Sequence, residues 1–276
     1  SGPDSETEAL LPSHPAVDRH LTFTGTRGPA ERRNAAWRAT TAPVVAFTDD
    51  DCRPPAEWLE RALAAARPDA IVQGATRPDP DEAALPRAPH PRTVTIDPPT
   101  AQAQTCNIVY PRAVLEALGG FDADELPLCA GEDTDLAWRA REQGVPLVGA
   151  PEVLTYHCVE TMGLWPRARF TWRWRQLPAL VRRHPALREE MPLRVFWKPR
   201  HARFVLALAG LALARRVPLA APLLALPWVR AALPSYGAGP RGRVRAVAEL
   251  PGQALIDAVE VGALAVGSAQ HRTLFL

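Results

Sequence analysis

Cysteine is scarce in this 276-residue chain: Cys52, Cys106, Cys129 and Cys158 lie far apart, with no CxxC pair. That spacing excludes a zinc ribbon and a disulfide-stapled scaffold, and it fits reduced thiols in a cytoplasmic setting. The chain does not open on a secretory signal, because "SGPDSETEAL" is polar and acidic. Two apolar segments are each well short of the ~20 residues that cross a bilayer. They are "FVLALAGLALA" (Phe204–Ala214) and "VPLAAPLLALPWV" (Val217–Val229), with Arg215 and Arg216 between them. A crossing hairpin would carry both charges at its tip. The pair therefore reads as a re-entrant or interface-bound hairpin, or as a buried hairpin of a soluble domain. There is no internal repeat.

What is present belongs to a folded protein. Hydrophobic residues make up 47% of the chain, which excludes disorder, and 30 prolines interrupt its helices. The formal charge of +2 conceals a polarity. Ser1–Glu160 holds 14 basic and 25 acidic residues, a balance of −11; Thr161–Leu276 holds 18 and 5, a balance of +13. An acidic half suited to cations joins a basic half suited to an anionic surface, or the halves neutralise each other.

Along the first half, strand and helix patterns alternate, which argues for a layered α/β sheet. Strands are expected at His20–Gly25, "PVVAFTD", Ala70–Arg77, the start of "TCNIVYPRAVLEALGGFD" and Pro151–Cys158. Helices are expected at Gly28–Thr40, Pro55–Arg67, from about Pro111, and at Ala130–Gly144, with a loop or lid over Pro78–Pro99. The unbroken apolar run before Asp49 suits a strand covered on both faces. In the second half "LWPRARFTWRWRQLPALVRRHP" sets Phe170, Trp174, Leu177 and Val181 on one helical face among arginines. It reads as a basic aromatic helix for a membrane interface, or as a surface helix packed on the domain. A last helix spans about Ala254 to Val266. The domains expected are 1–160 catalytic, 161–200 interface helices, and 201–276 apolar hairpin and C-terminal helix.

Two acidic groups carry the chemistry. Asp49, Asp50 and Asp51 end the strand "VVAFTDDDC", where ligands bind in α/β sheets. Their oxygens suit Mg²⁺ or Mn²⁺. Glu132 and Asp133 in "GEDTDL" open a helix, where a carboxylate is favoured by the dipole anyway, and Asp135 and Arg139 are spaced to pair. One group for a metal and another for a base is what metal-assisted transfer to a hydroxyl needs.

Taken in order, "RNAAWRATTAPVVAFTDDDC", "NIVYPRAVLEALGGFD" and "GEDTDLAWRAREQG" resemble glycosyltransferase family 2 over about Arg27 to Cys158. The resemblance implies a GT-A-like (Rossmann-like) mixed sheet with helices on both faces, followed here by a helical, membrane-associated region. It implies a nucleotide-diphosphate sugar as donor, Mn²⁺ or Mg²⁺, and inversion at the anomeric carbon. Under it Asp49 and Asp51 are the metal-side D-x-D, with Asp50 sharing either the metal or the ribose role. Asp133 is the general base beside Glu132, and it should be ionised near the cation. His157 completes the metal site, and Arg32, Arg33 and Asn34 contact the donor. Asn107 and the Gly119–Asp122 turn form the acceptor side. The acceptor would be a glycan or a lipid-linked molecule of the cell envelope, met at the cytoplasmic face of the membrane. Family members open with a strand-helix-strand unit that ends in an acidic turn. "SGPDSETEAL" corresponds to that turn and its continuation, so the expectation is of a chain truncated at its start. The alternatives are a non-catalytic, membrane-associated remnant and a Mg²⁺-dependent phosphatase or nucleotidyltransferase; Cys52 and Arg53 after the acids count against the phosphatase. Nucleic acid is not an expected partner, because the arginine-rich stretch runs into apolar hairpin sequence.

Overall fold

The computed structural model describes residues 9–15, 17–23, 28–85, 88–124, 130–234, 236 and 239–276. The acidic turn of Ser1–Glu8, and Cys129, lie outside these residues. The elements are α1 (Pro29–Arg38), β1 (Val44–Thr48), β2 (Cys52–Arg53), α2 (Trp58–Ala65), β3 (Ile71–Pro78), β4 (Asn107–Pro111), α3 (Arg112–Leu118), α4 (Glu132–Glu142) and β5 (Leu147–His157). Helices follow: α5 (Leu164–Thr171), α6 (Leu177–Arg183), α7 (Pro199–Leu213), α8 (Ala220–Ala232), α9 (Pro240–Ala248) and α10 (Leu250–His271).

The sheet runs in the order β1-β4-β3-β5-β2, with β3 and β5 parallel and every other neighbour antiparallel. Both faces are covered, and side chains alternate between them as the pleat requires. Val45, Phe47, Ile108 and Tyr110 face a core shared with Trp37 of α1, Leu115 of α3 and Leu136 of α4. Val44, Ala46 and Val109 face the other way, toward Trp58 and Ala62 of α2. The sheet is covered on both faces, as the apolar runs implied, and mixed, as the resemblance implied.

Beside Gly74 and Ala75 the pairing with β5 slips, jumping from Ala150 to Leu154. The Asn107 amide donates to the carbonyls of Ala75 and Val153, both at 2.7 Å, and its oxygen accepts from the Trp58 indole at 2.9 Å. A Cβ on Gly74 would stand 2.2 Å from the Val153 oxygen, so the close approach requires glycine. Asn107, expected on the acceptor side, is thus a buried plug for the sheet's irregularity.

The chain departs from its sequence pattern in two places. Residues 20–23 form no strand, and 24–25 lie outside the described residues. The arginine- and tryptophan-rich stretch is not one helix. It breaks into α5, a 3-10 segment over Trp172–Gln176, and α6, with Pro178 at the start of α6. Leu177, Leu180 and Val181 are buried with Trp138 of α4, Leu264 of α10 and Phe275. That stripe packs on the molecule itself, and the same apolar cluster joins elements before and after residue 160.

Candidate active site

Strand β1 delivers the acidic triplet to the sheet's edge region. The turn closes when the Cys52 N–H donates to the Asp49 carbonyl at 3.1 Å, and β2 then pairs antiparallel with the end of β5, setting Cys52 against His157. The Cys158 N–H donates to the Asp51 carbonyl at 2.9 Å. Backbone bonds therefore hold the last residues of β5 beside the triplet.

The second acidic group comes from the start of α4. Gly131 precedes it with φ of +97°, a conformation that costs glycine little. Glu132 is buried and Asp133 part-buried. Arg33, on α1, joins the two groups. Its Nη2 donates to Asp49 Oδ1 at 2.7 Å and its Nη1 to Glu132 Oε1 at 2.9 Å, and its guanidinium lies 5.7 Å from the Phe121 ring centroid. One cation thus gathers the strand-end acids and the helix-start acids into a single site, and leaves Asp133 part-exposed beside it.

Asp133 has its carboxyl pushed up to about 7, first by burial and then by the charge of Glu132, with Asp49 adding to it. Arg33 and the Thr134 N–H, 2.8 Å from Asp133 Oδ1, oppose the rise. The site removes Asp133 from water among other acids, and both raise its carboxyl. A value of about 7 is in the range in which a general base works best.

Asp51 faces His157: Oδ2 lies 3.4 Å from Nε2. His157 is buried, and its Nδ1 sits 2.8 Å from the Cys158 carbonyl. A carbonyl only accepts, so Nδ1 donates to it, and Nε2 is the ring nitrogen that faces Asp51. Asp51 is raised by burial; His157 and Arg92 pull it down, while Asp49 and Asp50 push it up. Asp51, His157 and Cys158 bring one ligand-type atom each within 4.8 Å of one another. This donor set fits a divalent cation. Asp49, expected as a metal ligand, is engaged by Arg33, and Asp50 is exposed on the turn.

Asn34, expected at the donor, points inward. Its amide donates to the Phe121 carbonyl at 2.7 Å, and its oxygen accepts from the Phe121 N–H and the Trp37 indole. It pins the Gly119-Gly120 turn, where Gly120 has φ of +79° and a Cβ would stand 2.3 Å from Asn34 Oδ1. The sequence reading missed Cys158, although its place next to His157 was a visible signal. It also missed Arg92 and Glu160, which bridge through their backbones and pair their side chains. Nothing in the loop around Arg92 marks it.

Residues 7–116 match the profile described as Glycosyl transferase family 2. The "Pre-mycofactocin glycosyltransferase" of Mycobacterium tuberculosis, from strains CDC 1551 / Oshkosh and ATCC 25618 / H37Rv, is 32% identical over 151 residues, 48% of this chain. The alignment spans 30% of the length of those curated relatives. Among solved structures, the "Mannosyltransferase PcManGT from Pyrobaculum calidifontis in complex with GDP-Man and Mn2+" superposes with a TM-score of 0.51 at 23% identity, covering 97% of this chain and 73% of that one. That likeness is one of fold.

Proposed function

From the match of residues 7–116 to the Glycosyl transferase family 2 profile, we propose that the chain moves a sugar from a nucleotide-diphosphate sugar to a hydroxyl acceptor, with inversion. The observation that carries this reading is the Arg33 bridge between Asp49 and Glu132, which sets Asp133 beside the strand-end acids. Asp133 takes the acceptor's proton as the acceptor oxygen bonds to the anomeric carbon. The bond from that carbon to the diphosphate oxygen breaks on the opposite side, and the nucleoside diphosphate leaves with the electron pair. Arg33 holds Asp49 and Glu132 in place while Asp133 gains and loses its proton. Asp51 and His157 would hold Mn²⁺ or Mg²⁺, which when bound stabilises charge on the leaving diphosphate.

The acceptor is read as a glycan or lipid-linked molecule at the cytoplasmic face of the membrane. The +13 balance after Glu160 and the outward leucines of α7 and α8 support that reading. The test is nucleoside diphosphate release from a panel of nucleotide sugars, with Mn²⁺ and with excess chelator. Asp133→Asn should fold normally, bind donor, and lose ~10²–10⁴ of the rate. Full turnover by that variant, or turnover indifferent to chelator, would overturn the base or the metal assignment respectively.

A further inference from the structure

We propose that Cys158 is a protein ligand to the divalent cation, completing an Asp51–His157–Cys158 site that prefers zinc and cobalt to magnesium. The proposal rests on the metal-assisted reading above and deepens it.

Three observations converge on this. First, the ligand atoms are already grouped: Asp51 Oδ2 and His157 Nε2 are 3.4 Å apart, and Asp51, His157 and Cys158 each bring one ligand-type atom within 4.8 Å of the other two. Ligands held at ~2.0 Å in a tetrahedron stand about 3.3 Å apart, so the first pair already has the spacing of one edge. Second, the groups are pre-oriented. The Cys158 carbonyl occupies the His157 Nδ1 and leaves Nε2 facing Asp51, in the way outer partners orient metal-bound imidazoles. The Cys158 N–H in turn fixes the backbone of Asp51. Third, Asp49 is engaged elsewhere, by Arg33. An acidic triplet alone would present oxygens only, which suit magnesium. Imidazole and thiolate alter that choice, because softer ligands shift affinity toward zinc and cobalt. Three protein ligands also leave a coordination position open for a diphosphate oxygen, as catalytic sites require. On binding, the thiol proton passes to solvent and the sulfur bonds as thiolate.

The test uses Co²⁺ as a spectroscopic probe on the chelator-stripped chain. Thiolate-to-cobalt charge-transfer absorption in the near ultraviolet should grow to saturation in the wild type, persist in Cys52→Ser, and vanish in Cys158→Ser. Calorimetry should show Co²⁺ affinity falling by at least ~10-fold in Cys158→Ser, the scale on which even outer partners of a metal act, with Mg²⁺ affinity little changed. A second readout needs no variant: alkylation of the part-exposed Cys158, mapped by mass spectrometry, should be blocked by Zn²⁺ or Co²⁺ and not by Mg²⁺. Co²⁺ binding without charge-transfer absorption, or absorption that survives Cys158→Ser, overturns the thiol's role while the oxygen–imidazole site stands. A chain that binds neither Co²⁺ nor Mn²⁺, with or without a nucleoside diphosphate, overturns the metal-assisted reading as well.

Discussion

Arg33 is where two distant stretches of sequence become one site. Its charge lies between Asp49 and Glu132 and lowers the proton affinity of Asp133, against burial and two neighbouring carboxylates. The pH dependence of turnover should follow. With Asp133 held at about 7, the rate should rise as pH climbs through that value and the base loses its proton. Arg33→Met keeps the apolar stem and removes the charge. Asp133 then holds its proton more tightly, so the rising limb should move to higher pH by about one pH unit or more. A pH–rate profile of the two proteins measures this. A limb that stays in place in Arg33→Met, with turnover merely lower, would mean that Arg33 acts only as a structural tie.

At the scale of elements, α4 presents Glu132 and Asp133 to the Arg33 side at its start and holds a buried ion cluster farther along. Asp135 is fully buried, with Arg139 Nε at 2.8 Å, His184 Nε2 at 3.0 Å and Arg183 Nη1 at 3.2 Å. His184 Nδ1 meets Glu142 at 2.7 Å. Both ring nitrogens face carboxylates, so the imidazole is held as a cation that fastens α4 to the end of α6. Burial alone would lower its pKa, but the hydrogen bonds to Asp135 and Glu142 raise it. A raised histidine contributes stability that is complete below its unfolded value of ~6.5 and is lost as pH rises through the folded value. His184→Gln should therefore cost about 1–3 kcal/mol at pH 6, and the gap from wild type should close in alkaline buffer. Denaturant unfolding at several pH values checks this; a gap independent of pH would show that packing, and not charge, is what His184 supplies.

The same elements show what the sequence could and could not reveal. The strands β1 and β4 were legible because apolar clusters pack on both faces of the sheet, and the two acidic motifs were legible as motifs. The roles of Arg33 and Asn34 were not separable by proximity, since adjacent helix residues point in different directions: one reaches the acids and the other grips Phe121. The slip between β3 and β5 was hidden because its repair, by Asn107 and Gly74, is a tertiary event with no periodic trace. His184 was hidden because its partners lie on another helix. The aromatic stretch gave the right apolar stripe, but its destination was the molecule's own core.

On the scale of the whole molecule, the outstanding demand is apolar surface. Helices α7 and α8 pack on each other through Phe204 and Trp228, with Gly210 set against the Ala220 carbonyl. Their outer faces leave Leu211, Leu219 and Leu223 at 59%, 69% and 64% exposure, with Leu206, Leu208, Leu213 and Leu226 around them. Trp165 also stands out, at 72%. The segment Pro240–His271 is long and apolar enough to cross a bilayer by length and composition, yet a third of its apolar window is buried in the fold. Its Asp257 and Glu260 are paired with Arg200, Lys198 and His201. A surface rich in exposed leucine on a half with a balance of +13 suits a lipid interface with anionic headgroups. Two independent responses are expected in vesicle co-sedimentation. Binding should require anionic lipid and weaken steeply with salt, because each basic residue near the surface contributes about 1 kcal/mol and is screened. Leu219→Ser and Leu223→Ser should each cost about 1–2 kcal/mol of partitioning, on the scale of losing one part-inserted leucine, and the charge reversals Arg215→Glu and Arg216→Glu should flatten the salt dependence instead. If the leucine variants bind vesicles as wild type does but no longer self-associate in sedimentation experiments, the apolar face belongs to a second copy of the chain and the membrane assignment fails.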